Sequence, residues 1–135
     1  MKYMILGIAI LAVLLSLSLL FDFLSGHYLS AITELLHSAA DYLPAEDWDS
    51  LLALTEDAEE YWDDRRSYFC SLLDHNELED IDRTLTSLLA YERTQEPVCY
   101  YETYNRLVSM LEHIQNMDML KIYNILTPVV NHRTR

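Results

Sequence analysis

Histidines and carboxylates are the side chains of this chain that could bind a metal ion or titrate near neutral pH. His75 and His113 stand out, because each directly follows an acidic residue (Asp74 and Glu112) where a polar segment meets an apolar stripe. Each imidazole could therefore hydrogen-bond across a helix interface. Two interpretations stay open: structural histidines with satisfied hydrogen bonds, or a pH-sensitive or metal-binding pair. Both residues are candidate switch positions.

A run of acidic residues between Glu56 and Asp64 invites a calcium hypothesis. Calcium loops need carboxylates that converge at a tight turn containing Gly, whereas this run has no Gly and follows a helical pattern. A solvated helix face, which would attract cations or a basic partner, fits better. The single E-x-x-H match, Glu34 to His37, lacks the second pair and the two further Glu of a di-iron bundle. We therefore expect no metal and no cofactor.

Neither nucleophilic catalysis nor nucleic-acid binding has support in the sequence. There is no G-x-S-x-G motif and no P-loop, and neither Cys70 nor Cys99 has a histidine within local reach or an electropositive setting. The two thiols would lie near opposite ends of a helix, too far apart for a disulfide. A net charge of −13 opposes binding to phosphates. The sequence predicts a protein that is not an enzyme and has no nucleic-acid partner.

Aromatic residues are abundant, with 10 Tyr and 2 Trp in the chain. Trp48 and Trp62 are separated by four helical turns, so they fall on the same face of one predicted helix. We expect them to pack in the core against Tyr100 and Tyr104. If that helix is only partly covered, the same stripe is a partner-binding surface. Both tryptophans are therefore candidate interaction positions.

Scarce turn residues and apolar spacings of three and four predict an all-α chain, with a small antiparallel helical bundle or hairpin after the N-terminal segment. A second helix should begin between Ala45 and Asp47 and carry its stripe to Leu73. A break is predicted at Asp74 to Asn76, where Asn76 would be the N-cap of a capping box. A continuous helix whose buried face rotates is the alternative.

The remaining boundaries come from Pro and from cap residues. The third helix should end before Thr94, and Pro97 should lie in the first turn of the fourth helix, where its missing N–H costs nothing. A short fifth element is predicted from Asp118 to Leu126, stopped by Pro128. The polar tail, residues 129–135, is expected to be flexible.

Nineteen residues without a charge, Tyr3 to Phe21, follow Met1 and Lys2. As a helix this segment is about 28 Å long, close to the thickness of the hydrocarbon core of a bilayer. It predicts a single N-terminal transmembrane helix; a cleaved signal peptide and a soluble core helix are the alternatives. An amphipathic stretch continues to Leu43, and Gly26 is the expected position of a bend.

The charges that flank the apolar segment predict its orientation. Lys2 precedes the segment, whereas Asp22, Glu34 and Asp41 follow it and no Lys or Arg occurs before Arg65. The positive-inside rule then places the N-terminus in the cytoplasm. The predicted organisation is a membrane anchor (1–25), an extracytoplasmic helical domain (26–128) and the tail.

Two stretches of the sequence carry a resemblance to a known family. They are Leu73 to Asp82 (LDHNELEDID) and Leu111 to Ile114 (LEHI), the second followed by Asn124 to Leu126. The chain resembles a bacterial domain-of-unknown-function family (4363) of small proteins, mostly from clostridia and related Gram-positive bacteria. The resemblance implies a membrane-anchored helical protein and supplies no activity, cofactor or catalytic residue.

These features together predict an interaction or accessory subunit at the outer face of a bacterial cell membrane. Its partners would be the lipid bilayer, through Tyr3 to Phe21, and a protein such as a multi-pass membrane protein. The alternative is a cation- or pH-responsive sensor that uses the acidic helix face together with His75 and His113.

Overall fold

A computed structural model describes residues 1–126, with side chains through Met117. The predicted stop at Pro128 and the predicted flexible tail lie outside the described residues. Five helices follow one another: α1 (Lys2–Ala40), α2 (Trp48–Asp64), α3 (Arg66–Cys70), α4 (His75–Thr94) and α5 (Pro97–Leu126). The described part of the chain contains no strand, so the all-α prediction is confirmed.

The four long helices form a bundle in which chain neighbours run antiparallel. α1 packs against α2 and α5, and α4 packs against the same two helices. Cross-helix hydrogen bonds fix the directions, because Thr55 pairs with Glu92 while Trp62, later in α2, pairs with Asp82, earlier in α4. This is the up-down-up-down arrangement that short connections favour.

The core contains one apolar stripe from each long helix, with Phe69 contributed by α3. In α4 the buried positions recur every three or four residues, as an amphipathic helix requires. The largest fully buried side chains are Trp62, Tyr100 and Phe69. Aromatic side chains thus fill much of the space between the helices.

Helix α1 has two halves with different surroundings. Every residue from Met1 to Phe21 is exposed, whereas Leu29, Ile32 and Leu36 are buried in the bundle. By length and composition the helix is a candidate membrane span. The helix continues through Gly26 without a break, and the bend expected there stays a prediction.

The helix α1 ends at Ala40 and is followed by turns through Glu46, slightly before the predicted end at Leu43. The carboxylate of Asp47 then accepts a hydrogen bond from the Ser50 N–H and caps α2. The second helix therefore begins where the sequence predicted.

The helix is broken at two places between α2 and α4, and the sequence predicted only the second of these helix breaks. α2 ends at Asp64 instead of continuing to Leu73, because the backbone of Arg65 is not helical (φ −108°, ψ 7°). The helical conformation resumes at Arg66 as α3. The Arg65 guanidinium lies 3.5 Å from the centre of the Tyr61 ring, a cation–π contact that holds the break. The change of direction lets Phe69 stack on Trp62, with ring centroids 4.6 Å apart.

The second break falls at the predicted place but has a different cap. The N-cap of α4 is Asp74, whose carboxylate accepts a hydrogen bond from the Asn76 N–H, and His75 is already helical. The predicted cap at Asn76 is therefore wrong by two residues, because the Asp74 side chain is an equally good acceptor. The alternative of one continuous helix is also wrong.

The connection between α4 and α5 lies close to where the sequence predicted it. Gln95 adopts the left-handed conformation (φ 55°, ψ 48°) and ends α4, and Pro97 is the first residue of α5, as predicted. The separate fifth element at Asp118 is wrong, because α5 runs unbroken from Pro97 to Leu126. No Gly or Pro interrupts residues 98–126, so nothing in the backbone stops the helix.

Candidate functional site

The two tryptophans occupy different environments. Trp48 is half-buried and meets the Tyr100 ring edge-on, with centroids 6.1 Å apart, which confirms one predicted contact. Trp62 is 1% exposed and stacks on Phe69 instead of on Tyr100 or Tyr104. Of the two candidate interaction positions, only Trp48 presents part of its surface to solvent.

Trp62 also connects three helices through its indole N–H. This group donates a 2.7 Å hydrogen bond to Oδ1 of Asp82 in α4, and Oδ2 of Asp82 accepts from Nε of Arg66 in α3 at 3.2 Å. The Asp82 carboxylate therefore fixes the break at Arg65. Sequence reasoning missed this residue, because nothing local distinguishes it from the other exposed acids of α4.

The structure does not bring His75 and His113 together. Nε2 of His75 lies 3.4 Å from Oε1 of Glu79 in its own helix, and 79% of the His75 side chain is exposed. His113 is exposed and lines a cavity of about 150 Å³ with Glu77 and Asp80, between α4 and α5. Neither imidazole makes a hydrogen bond across a helix interface. Their role as switch positions stays a prediction.

The acids of α2 form an exposed face, as the helical pattern indicated. We define the acidic face as the exposed carboxylates between residues 56 and 64 of α2: Glu56, Asp57, Glu60, Asp63 and Asp64. A single ion pair crosses from it to α4, between Glu56 and Arg93 at 3.4 Å. Among the residues that the structure describes, no three His, Cys, Asp or Glu side chains are grouped closely enough to hold a metal ion.

A buried carboxyl group lies in the bundle at the end of α4. Glu92 is 1% exposed, and its Oε1 accepts a 2.7 Å hydrogen bond from the hydroxyl of Thr55 in α2. Among the residues that the structure describes, its Oε2 has no hydrogen-bond partner, and neither does the buried hydroxyl of Tyr100 in α5. Leaving such a group unpaired costs roughly 1–3 kcal/mol, and more if it is charged.

Burial raises the pKa of Glu92 to about 8, and the hydrogen bond from Thr55 only partly opposes this shift. The last turn of α4 adds to it, because the negative end of the helix dipole disfavours a carboxylate there. Burial also raises the pKa of Tyr100, and the neighbouring Glu92 raises it further. Thr55, Glu92 and Tyr100 thus form a buried polar centre that is neutral at pH 7.

The spacing of the sequence could have revealed this centre. The buried stripe of α4 includes Leu78, Ile81, Leu85 and Leu88, and the next position at the same spacing is Glu92. An acid that continues an apolar stripe is a signal of a buried ionisable group. Tyr100 and Thr55 lie in the stripes of their own helices.

A second polar link joins the first and last helices. Nδ1 of His37 and the hydroxyl of Tyr104 share a hydrogen bond, and the Tyr104 ring stacks on Tyr100 with centroids 5.9 Å apart. The histidine of the E-x-x-H match therefore connects α1 to α5. Nothing in the local sequence indicated this partner, since the two residues are 67 positions apart.

Aromatic rings from α1, α2 and α3 pack together at the other end of the bundle. We define the aromatic cluster as Phe21, Tyr28, Tyr61, Tyr68 and Phe69. Tyr68 is its centre, with ring centroids 4.7 Å from Phe21 and 5.2 Å from Tyr28. Arg65 lies over Tyr28 and Tyr61. The cluster contacts α1 where its exposed apolar half ends.

Cys70 and Cys99 are both free. Burial raises the pKa of the Cys99 thiol, which keeps it protonated at neutral pH. A nucleophilic cysteine needs the opposite shift.

The fold and these sites define an antiparallel four-helix bundle whose first helix extends beyond it as an exposed apolar rod. A family model described as "Domain of unknown function (DUF4363)" matches residues 24–125, and the chain belongs to this family. The matched region begins near the point where α1 enters the bundle. No curated protein and no solved structure matches the chain.

The raised pKa of Glu92 predicts a stability that depends on pH. Above about pH 5 the unfolded chain releases this proton while the folded chain keeps it, so the free energy of unfolding should fall as pH rises toward about 8. The limiting slope is ~1.4 kcal/mol per pH unit. Chemical denaturation of the full chain in detergent should show that Glu92→Gln is more stable than the wild type at pH 8 and similar to it at pH 5.

The matched control is Glu60→Gln, an exposed acid of α2. This substitution should leave the pH dependence of the wild type unchanged. Equal pH dependence of the Glu92→Gln variant and the wild type would show that Glu92 does not titrate in this range.

Proposed function

We propose that the protein is a non-catalytic, membrane-anchored accessory subunit of a bacterial cell membrane. Tyr3 to Phe21 cross the bilayer, the N-terminus stays in the cytoplasm, and the helical bundle lies on the extracytoplasmic side. There the bundle presents a negatively charged helix to a protein partner, most simply a multi-pass membrane protein that shares the bilayer.

The two halves of α1 carry this proposal. The most apolar 18-residue stretch of α1 has no buried residue, whereas the core helix of a soluble protein is mostly buried. Burying one large apolar side chain is worth roughly 1.5–3 kcal/mol, so leaving this whole segment in water would be very costly. A bilayer removes that cost. The same helix then continues into the bundle, where Leu29 and Leu36 are core residues.

The orientation is supported by charge. Lys2 and the α-amino group precede the apolar segment, and the first charged residue after it is Asp22. In the positive-inside rule the basic flank stays in the cytoplasm.

The acidic face supports an interaction with a basic protein surface. Its carboxylates are exposed along α2, and Arg93 is the one basic residue that pairs with the face from α4 in the described chain. A row of like charges attracts a partner of opposite charge and speeds its encounter.

The alternative function, a sensor that uses the acidic face with His75 and His113, has less support. The two histidines are on separate helices and their rings do not meet, and the described acids form no metal-sized group. Among the described residues, Glu92 is a buried carboxyl group whose pKa is raised by burial, and it belongs to the core.

The membrane topology can be tested with a single accessible thiol. In a chain carrying Cys70→Ser and Cys99→Ser, we introduce Glu102→Cys at an exposed position of α5. A membrane-impermeant maleimide should label this thiol in intact cells as strongly as in permeabilised cells, and the chain should stay in the membrane after alkaline carbonate. Labelling only after permeabilisation would contradict the orientation, and release by carbonate would contradict the anchor.

The role of the acidic face can be tested by removing charge without changing size. A triple variant (Asp57→Asn, Glu60→Gln, Asp64→Asn) should lose the partner that the wild-type chain retains in a pull-down from detergent-solubilised host membranes. Addition of salt should weaken the wild-type complex as well, because exposed charges are screened.

The matched control neutralises three exposed acids of α4 (Glu77→Gln, Glu79→Gln, Asp80→Asn). This variant should retain the partner. A partner that is lost equally from both variants would indicate a dependence on net charge alone, and the absence of any stable partner would contradict the accessory role.

A further inference from the structure

A hydrogen bond from α3 to the end of the apolar segment fixes the position of α3 along the axis of α1. The Tyr68 hydroxyl lies 2.6 Å from the backbone oxygen of Phe21 and 2.9 Å from Oγ of Ser25. Phe21 is the last uncharged residue before Asp22. If Tyr3 to Phe21 cross the bilayer, as proposed above, Tyr68 lies at its surface.

The turn that follows α3 lies near that surface as well. α2 runs antiparallel to α1, toward its N-terminus, α3 continues from its end, and the chain turns back only between Ser71 and Asp74. α5 runs in the same direction as α2 and passes Ser30 at Gln115, where the two side chains hydrogen-bond. We define the membrane-proximal end as α3 and the turn at residues 71–74.

The side chains of the membrane-proximal end suit a lipid headgroup layer. Tyr68 is the kind of amphipathic aromatic residue that membrane proteins place at this depth. Arg65 and Arg66 are the only basic residues between Lys2 and Arg83. Exposed Phe23 of α1 and half-buried Leu72 add apolar surface.

Net charge does not drive this contact. Asp63 and Asp64 directly precede the two arginines and Asp74 ends the turn, so the membrane-proximal end has no positive excess. Aromatic and aliphatic groups must therefore supply most of the affinity.

A continuous helix leaves no room for a gap between the bundle and the bilayer. α1 has no break between Phe21 and Ala40, so the bundle cannot swing away on a flexible linker. We propose that the membrane-proximal end is embedded in the headgroup layer of the leaflet from which α1 emerges, so that the bundle stands directly on the membrane. This inference rests on the proposed membrane crossing of α1.

The two ends of the bundle offer a matched pair of probe sites. Cys70 is exposed at the membrane-proximal end, and Val98 is 70% exposed at the opposite end. Because His37 is level with Tyr104, Val98 lies about 30 Å farther along the bundle than Phe21. That distance is well beyond the headgroup layer.

The experiment uses two full-length single-thiol chains, Cys99→Ser (leaving Cys70) and Val98→Cys with Cys70→Ser and Cys99→Ser. Each is labelled with the same small fluorophore and reconstituted into phosphatidylcholine–phosphatidylglycerol vesicles. A nitroxide on the lipid headgroup should quench the label at Cys70 several-fold more than the label at position 98, and aqueous iodide should show the opposite order.

Vesicle flotation separates the two proposals. A chain that floats with the vesicles but shows equal quenching at both positions would overturn the embedding while leaving the anchor intact. A chain that does not float would overturn the membrane crossing and the embedding with it.

Discussion

The backbone hydrogen bonds of α1 run unbroken from Lys2 to Ala40, so whatever surrounds the first half of this helix also positions the second. The first half exposes apolar side chains on every side, and the second half supplies Leu29, Ile32 and Leu36 to the core. One helix therefore has two kinds of surroundings, an apolar surface that no other described part of the chain covers and a protein interior. The positions of α2, α3 and α5 follow from their contacts with this helix.

The two ends of the bundle differ in chemistry because α1 enters at one of them. Near Phe21 the contacts are aromatic, and their hydroxyl groups find partners in α1, as Tyr68 does with Ser25. At the far end Glu92 and Tyr100 are buried with one unpaired oxygen each, and Glu92 is protonated at neutral pH. The buried carboxyl group of Glu92 weakens the bundle as pH rises.

Sequence periodicity predicted the helices well and the tertiary contacts poorly. The all-α class, the cap-determined start of α2 and the position of Pro97 follow from local rules. The break at Arg65 and the pairing of His37 with Tyr104 depend on residues distant in the chain. Asp74 and Asn76 both make good caps, so spacing could not choose between them. Glu92 is a different case, because its place in the stripe of α4 indicates burial although we did not predict it from the sequence.

The continuity of α1 is the claim on which this account depends, and a distance across Gly26 tests it most directly. Spin labels at Ser16→Cys and Glu34→Cys, in a chain with Cys70→Ser and Cys99→Ser, lie five turns apart on one face of the helix. Pulsed electron paramagnetic resonance in lipid vesicles should give a single narrow distance near 27 Å. A broad or clearly shorter distribution would mean that the helix bends between the membrane and the bundle, and would contradict the account.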